Sequence, residues 1–139
     1  MSGARLGMGN SNFTTSSHID ERSAGYFALG ISLKTSSAAV LICTSGTATA
    51  NYFPAIIEAS QSKIPLIVLT ADRPENLLNS GENQTINQEY IYGEFVRRSV
   101  SLNQHSNLIS MTDSLQFTNP KVTGIIKGPI HFNIHFFQI

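Results

Sequence analysis

A single cysteine, Cys43, stands among the 139 residues, so no internal disulfide can form and a reducing, cytoplasmic setting is expected. Charge is scarce too, with 13% charged residues against 41% hydrophobic ones. Ordinary apolar content with so little charge excludes the disordered class. It also implies a surface partly covered by other parts of a larger assembly, because free surfaces usually carry more charge. Nine basic and nine acidic residues cancel and no basic run occurs, so neither nucleic acid nor a membrane surface is expected as a partner. No apolar run approaches the roughly 20 residues of a membrane span. Met1 to Asn10 lacks the apolar core of a signal peptide. Neither G-x-G-x-x-G nor a P-loop pattern occurs, and His18, His105, His131 and His135 lack the spacing of metal ligands.

What is present is a succession of short apolar runs and helical patterns in a length that fits one domain. Residues 1–17, rich in Gly, Ser, Asn and Thr, read as an irregular N-terminal segment, and 18–139 as one domain. From Glu21 to Lys34, apolar residues recur at Ala24, Phe27, Ala28 and Ile31, which is helical spacing, with Asp20 as N-cap. Ala38–Cys43 and Pro65–Leu69 are continuous apolar runs that suit buried parallel strands. Between them, Thr47–Ser62 reads as a helix in which Pro54 demands a kink or a late start. A short helix at Ile86–Phe95, a strand at Val96–Leu102, a helix at Leu108–Phe117 and a last strand at Ile130–Phe136 follow. The alternation predicts an α/β fold, an open parallel sheet with helices on both faces.

Chemistry in such a sheet gathers at the carboxyl ends of the strands. Two strands end in polar turns, Thr44-Ser45-Gly46-Thr47 and Ala71-Asp72-Arg73-Pro74. Glu21, expected where a short preceding strand hands over to the first helix, would join them. On the residues alone each candidate has two readings. Glu21 is either a working acid or a carboxylate favoured by the helix dipole. Ser45–Thr47 is either a ligand turn or a plain strand-to-helix turn. Arg73 either binds a ligand or pairs with Asp72 or Glu75. His131 and His135, in an apolar strand, read as structural, Cys43 as a small core residue, and Arg97-Arg98 as a solvated edge.

The segments His18-Ile19-Asp20-Glu21-Arg22-Ser23-Ala24-Gly25, Cys43-Thr44-Ser45-Gly46-Thr47-Ala48, Pro65 to Pro74, Gly81-Glu82-Asn83-Gln84-Thr85-Ile86 and Gly128-Pro129-Ile130-His131-Phe132-Asn133 together resemble the pyrimidine-binding (Pyr) domain of thiamine diphosphate enzymes. Within that family they are most similar to the branch that decarboxylates 2-oxoglutarate and adds the succinyl-semialdehyde unit to isochorismate in menaquinone biosynthesis. The resemblance implies that Glu21 hydrogen-bonds a ring nitrogen of the cofactor's aminopyrimidine and favours the tautomer that takes the thiazolium proton. It implies that Thr44, Ser45, Gly46 and Thr47 line the pyrimidine, and that Arg73 and Gln84 contact substrate. It further implies a homo-oligomer whose active site is completed by the diphosphate-binding domain of a second subunit, which carries the Mg2+ ligands. The sequence departs from the family in two places. The first strand with its Gly-Ser-Arg-Ser loop is not found before Glu21, and no Gly-Asp-Gly stretch with a following Asn occurs. A fragment holding half a site, inactive alone, is therefore expected. The other readings are a non-catalytic Pyr-like interaction module and another carboligase such as acetolactate synthase.

Overall fold

A computed structural model describes residues 14–78, 80–103 and 108–136. Helix α1 runs from Glu21 to Thr35. Asp20 caps it, its carboxylate accepting the Ser23 N–H at 2.8 Å, while Lys34 sits in the last turn. The left-handed Ser36, φ 55°, ends it. Strand β1 is Ala39–Cys43, tied to α1 where the Ala39 N–H donates to Ser32 Oγ at 2.8 Å. The pattern expected over Thr47–Ser62 divides into α2, Thr47–Asn51, and α3, Phe53–Gln61. Pro54 falls in the first turn of α3, where its missing N–H costs nothing, so the late start is borne out.

Strand β2 is Leu66–Asp72, three residues longer at its carboxyl end than the apolar run. Strand β3 is Arg98–Leu102, helix α4 is Leu108–Ser114 with a 3₁₀ turn to Phe117, and β4 is Ile130–His135. The sheet is parallel throughout, in the order β1-β2-β4-β3. The step from β1 to β2 and the step from β3 to β4 run in opposite directions along it. With right-handed crossovers, α2–α3 and α4 then lie on opposite faces, as the expected α/β architecture requires. Leu41, Leu66, Val68, Tyr52, Ile56 and Tyr92 form the core under α1 and α3. There Gly25 lets the two helices touch: a Cβ on it would meet Ala55 Cβ at 2.9 Å. Among the described residues no helix is long and apolar enough to cross a membrane.

Three expectations need correction. No strand precedes Glu21 among residues 14–20; Glu21 is itself the first residue of α1. The short helix over Ile86–Phe95 is absent, and only Gly93–Phe95 forms a 3₁₀ turn. Left-handed residues at Tyr90, φ 55°, and Gly93, φ 50°, break the helical path. Arg97 is not a solvated edge. Its guanidinium donates to Lys127 O, Ser60 Oγ and Ser60 O at 3.0, 3.0 and 2.7 Å, in space that Gly128 leaves free. Expectations for residues 1–13, 104–107 and 137–139 lie outside the described residues.

Candidate functional site

The β1–α2 turn and the end of β2 lie side by side at the carboxyl edge of the parallel sheet, and the first turn of α1 lies near the end of β1. Glu21 is half-buried there. Burial pushes the Cys43 thiol at the end of β1 up to about 11, and the Glu21 carboxylate adds to that shift. Burial, then the charges of Cys43 and Glu21, likewise raise the Tyr52 hydroxyl, which donates to Ile42 O at 3.0 Å. Glu21 is thus within electrostatic reach of the strand end that opens the Thr44–Thr47 turn.

That turn depends on Gly46, whose φ of 85° favours glycine. A Cβ there would lie 3.1 Å from the Gln84 Cα and the Gln84 carbonyl oxygen. Gln84 adopts φ 56° and lies exposed over the turn. Ser45 is buried, and Thr44 and Thr47 are exposed. Arg73, the residue after β2, donates through Nη2 to Asn83 O at 3.1 Å. Its guanidinium makes no ion pair with Asp72. That carboxylate instead accepts the Arg73 backbone N–H at 2.7 Å through Oδ1 and the Asn133 Nδ2–H at 2.7 Å through Oδ2. Arg73 Nε is buried without a hydrogen-bond partner. A buried guanidinium donor left unpaired costs free energy unless an acceptor from elsewhere meets it, so an anionic ligand fits this position. The structure therefore brings Gly46, Arg73 and Gln84 together through the 81–88 loop, with Glu21 on the neighbouring helix start. A cleft of about 210 Å³ opens beneath this loop beside Asp72, and Thr85, Asn87 and Gln88 line it; Glu21 and the Thr44–Thr47 turn do not.

Sequence reasoning missed the polar layer under the site. Thr70 Oγ1 donates to Asn133 Oδ1 at 2.8 Å and therefore accepts from His131 Nε2–H at 2.8 Å. His131 Nδ1 then accepts from the Ser99 hydroxyl at 3.2 Å, which fixes a neutral ring. Burial lowers the His131 pKa to about 4. His135 Nδ1–H donates to Arg73 O at 2.9 Å, and its Nε2 faces Ser101 Oγ at 2.9 Å. Gln88 is 1% exposed and bonded to three elements. One signal was available: His131, Asn133 and His135 alternate within an apolar strand, which puts all three on one face.

A helix-start carboxylate, a glycine turn and an arginine with an unpaired Nε thus lie on the carboxyl side of one parallel sheet, where α/β folds bind ligands. Residues 6–91 match the model of the thiamine pyrophosphate enzyme, N-terminal TPP binding domain, family. The chain belongs to that family. Its relatives include 2-succinyl-5-enolpyruvyl-6-hydroxy-3-cyclohexene-1-carboxylate synthases. The protein from Haloquadratum walsbyi is 48% identical over 126 residues, which are 88% of this chain and 20% of the relative. That from Chlorobium luteolum is 48% identical over 120 residues, 84% of this chain and 21% of the relative. That from Halobacterium salinarum is 46% identical over 129 residues, 90% and 22% respectively. The chain thus spans about a fifth of the length of these relatives.

Proposed function

We propose that this chain is the pyrimidine-binding part of a thiamine diphosphate-dependent carboligase, a transferase of menaquinone biosynthesis that joins 2-oxoglutarate, after loss of carbon dioxide, to isochorismate. The observation that carries the reading is the placement of Glu21 at the start of α1, near enough to Cys43 at the end of β1 for its charge to act on that thiol. Glu21, half-buried at a helix start, presents its carboxyl group where it can hydrogen-bond a ring nitrogen. Ser45, Gly46 and the exposed Thr44 and Thr47 form the surface against which an aminopyrimidine would lie. The missing Cβ at Gly46 makes room for the Gln84 backbone, which brings the 81–88 loop against this turn. Bound thiamine diphosphate supplies the carbanion chemistry, and the chain's residues orient it and control the proton.

Arg73 receives substrate carboxylate, for which its planar fork and unpaired Nε are suited. Gln84, held over Gly46 by backbone contact, faces the same substrate. Arg73 and Gln84 in these positions favour this branch over acetolactate synthase. The Mg2+ and diphosphate ligands belong to the diphosphate-binding domain of a second subunit, in a cytoplasmic homo-oligomer. Tyr26, Phe27 and Ile31, exposed along one side of α1, supply apolar surface for such an assembly. By itself the chain is inactive.

The test combines the chain with a polypeptide carrying the diphosphate domain of a close relative, then adds thiamine diphosphate, magnesium, 2-oxoglutarate and isochorismate. Product should form, and Glu21→Gln should lower its rate by about 10²–10⁴-fold without changing the circular dichroism spectrum. An assembled, folded pair in which Glu21→Gln is as active as the parent would refute the assignment.

A further inference from the structure

Gln88 lines the cleft beneath the 81–88 loop, and its side chain is where the two halves of the site are joined. The Gly46 N–H donates to Gln88 Oε1 at 2.6 Å, and Gln88 Nε2 donates to Ala71 O at 2.9 Å and Asn133 Oδ1 at 2.8 Å. A backbone N–H only donates and a carbonyl only accepts, so the amide has one possible orientation. From Asn133 the bonds continue to Asp72 Oδ2 at 2.7 Å, and Asp72 Oδ1 takes the Arg73 N–H at 2.7 Å. An unbroken line of hydrogen bonds therefore runs from the Gly46 turn to the Arg73 backbone through 1%-exposed Gln88 and Asn133.

Apart from the Thr49 N–H bond to Gly46 O at 3.1 Å within the helix start, Gln88 is the side chain bonded to Gly46. Helix α2, which Gly46 opens, has no side-chain cap of its own. The left-handed Gly46 gives no steric preference that fixes it. Gln88 also closes the segment whose Gln84 backbone rests on Gly46.

We propose that Gln88 is a positioning residue that locks the Gly46 turn in fixed register with Arg73, and so sets the pyrimidine side of the site relative to the substrate side. The proposal rests on the cofactor reading above for its functional consequence, but not for its geometry. Leucine at this position would fill similar space while leaving the Gly46 N–H and the Ala71 carbonyl without this partner. Glutamate would keep the acceptor for Gly46 and lose both donors. When protonated it regains one, and burial raises the pH at which it protonates.

The experiment uses the full 139-residue chain, Gln88→Leu and Gln88→Glu, with amide NMR and calorimetric titration of thiamine. In Gln88→Leu the Gly46 amide should move upfield and exchange about tenfold faster or more, while Val68 and Phe132 keep their protection. The Arg73 amide should shift, and thiamine should bind about tenfold more weakly. Gln88→Glu should keep the Gly46 signal. Its Arg73 signal and thiamine affinity should return toward wild type on acidification, a profile the wild type lacks. An unchanged Gly46 amide in Gln88→Leu, or no acid recovery in Gln88→Glu, overturns the proposal. If Gln88→Leu does not fold, the pH profile of Gln88→Glu decides alone. If the wild-type chain binds no thiamine by itself, as half a site allows, the Gly46 and Arg73 amide data alone judge Gln88, and the two-chain activity test judges the cofactor reading.

Discussion

Acid should weaken this fold through one side chain. His131 lies in the central strand β4, flanked by Thr70 and Ser99, with the Tyr92 ring packed edge-on at 4.7 Å. Thr70 needs its Nε2–H and Ser99 needs its Nδ1 lone pair, so the ring is held neutral and burial lowers its pKa from 6.5 to about 4. In the unfolded chain it protonates near 6.5. The unfolded state therefore binds the extra proton between those values, and stability rises with pH across that window. The contribution is complete above pH 6.5 and is lost as pH falls toward 4. At 1.36 kcal/mol per unit, a displacement of this size amounts to about 3 kcal/mol, a large share of a small domain's stability.

Urea unfolding followed by circular dichroism at pH 7 and at pH 4 measures the loss. His131→Gln, which keeps a donor and an acceptor but does not titrate, should lack this part of the slope while retaining the background from other groups. The reasoning fails if the His131 ring titrates near 6.5 in the folded chain by NMR. It fails equally if His131→Gln and the parent lose the same stability on acidification.

Gly25→Ala should lower stability by about 1 kcal/mol in denaturant titration: the new methyl clashes with Ala55, and overpacking outweighs the gain in helix propensity. A more stable variant would show that α1 and α3 separate freely. Gly46→Ala should cost about 1–2 kcal/mol from its left-handed φ and displace Gln84, visible as a changed Gln84 amide shift. Arg97→Met should cost about 2–3 kcal/mol by removing three charge-assisted bonds between α3 and the Lys127 segment, with an unchanged thermal midpoint counting against this clamp.

The parallel sheet was legible because Ala39–Cys43 and Leu66–Leu69 are apolar without interruption and Glu21–Lys34 repeats at helical spacing. The site's outline was legible because Gly46 and Arg73 follow those strands directly. The 86–95 segment misled, since its apolar residues fall at helical intervals while Tyr90 and Gly93 take left-handed backbone that spacing does not encode. The Gln88–Asn133–Asp72 line was hidden for a different reason. Its members lie far apart in sequence and meet only once β2 and β4 pair in register. Arg97 looked like surface because its acceptors are backbone carbonyls and a serine, groups no charge pattern reveals.

The order of strands also gives the two halves of the site different lifetimes. Among the described residues, Asp72 and His135 end the two interior strands and Arg73 follows the first of them, while Cys43 ends β1, an outer strand that leads into the Gly46 turn. Edge strands open more often than interior ones in local unfolding. Each such opening carries the turn away from an intact Arg73 half, and the refolding edge must find its register again before the halves face one another. The tempo of the site is therefore set at the rim of the sheet, while its most durable part lies at the centre.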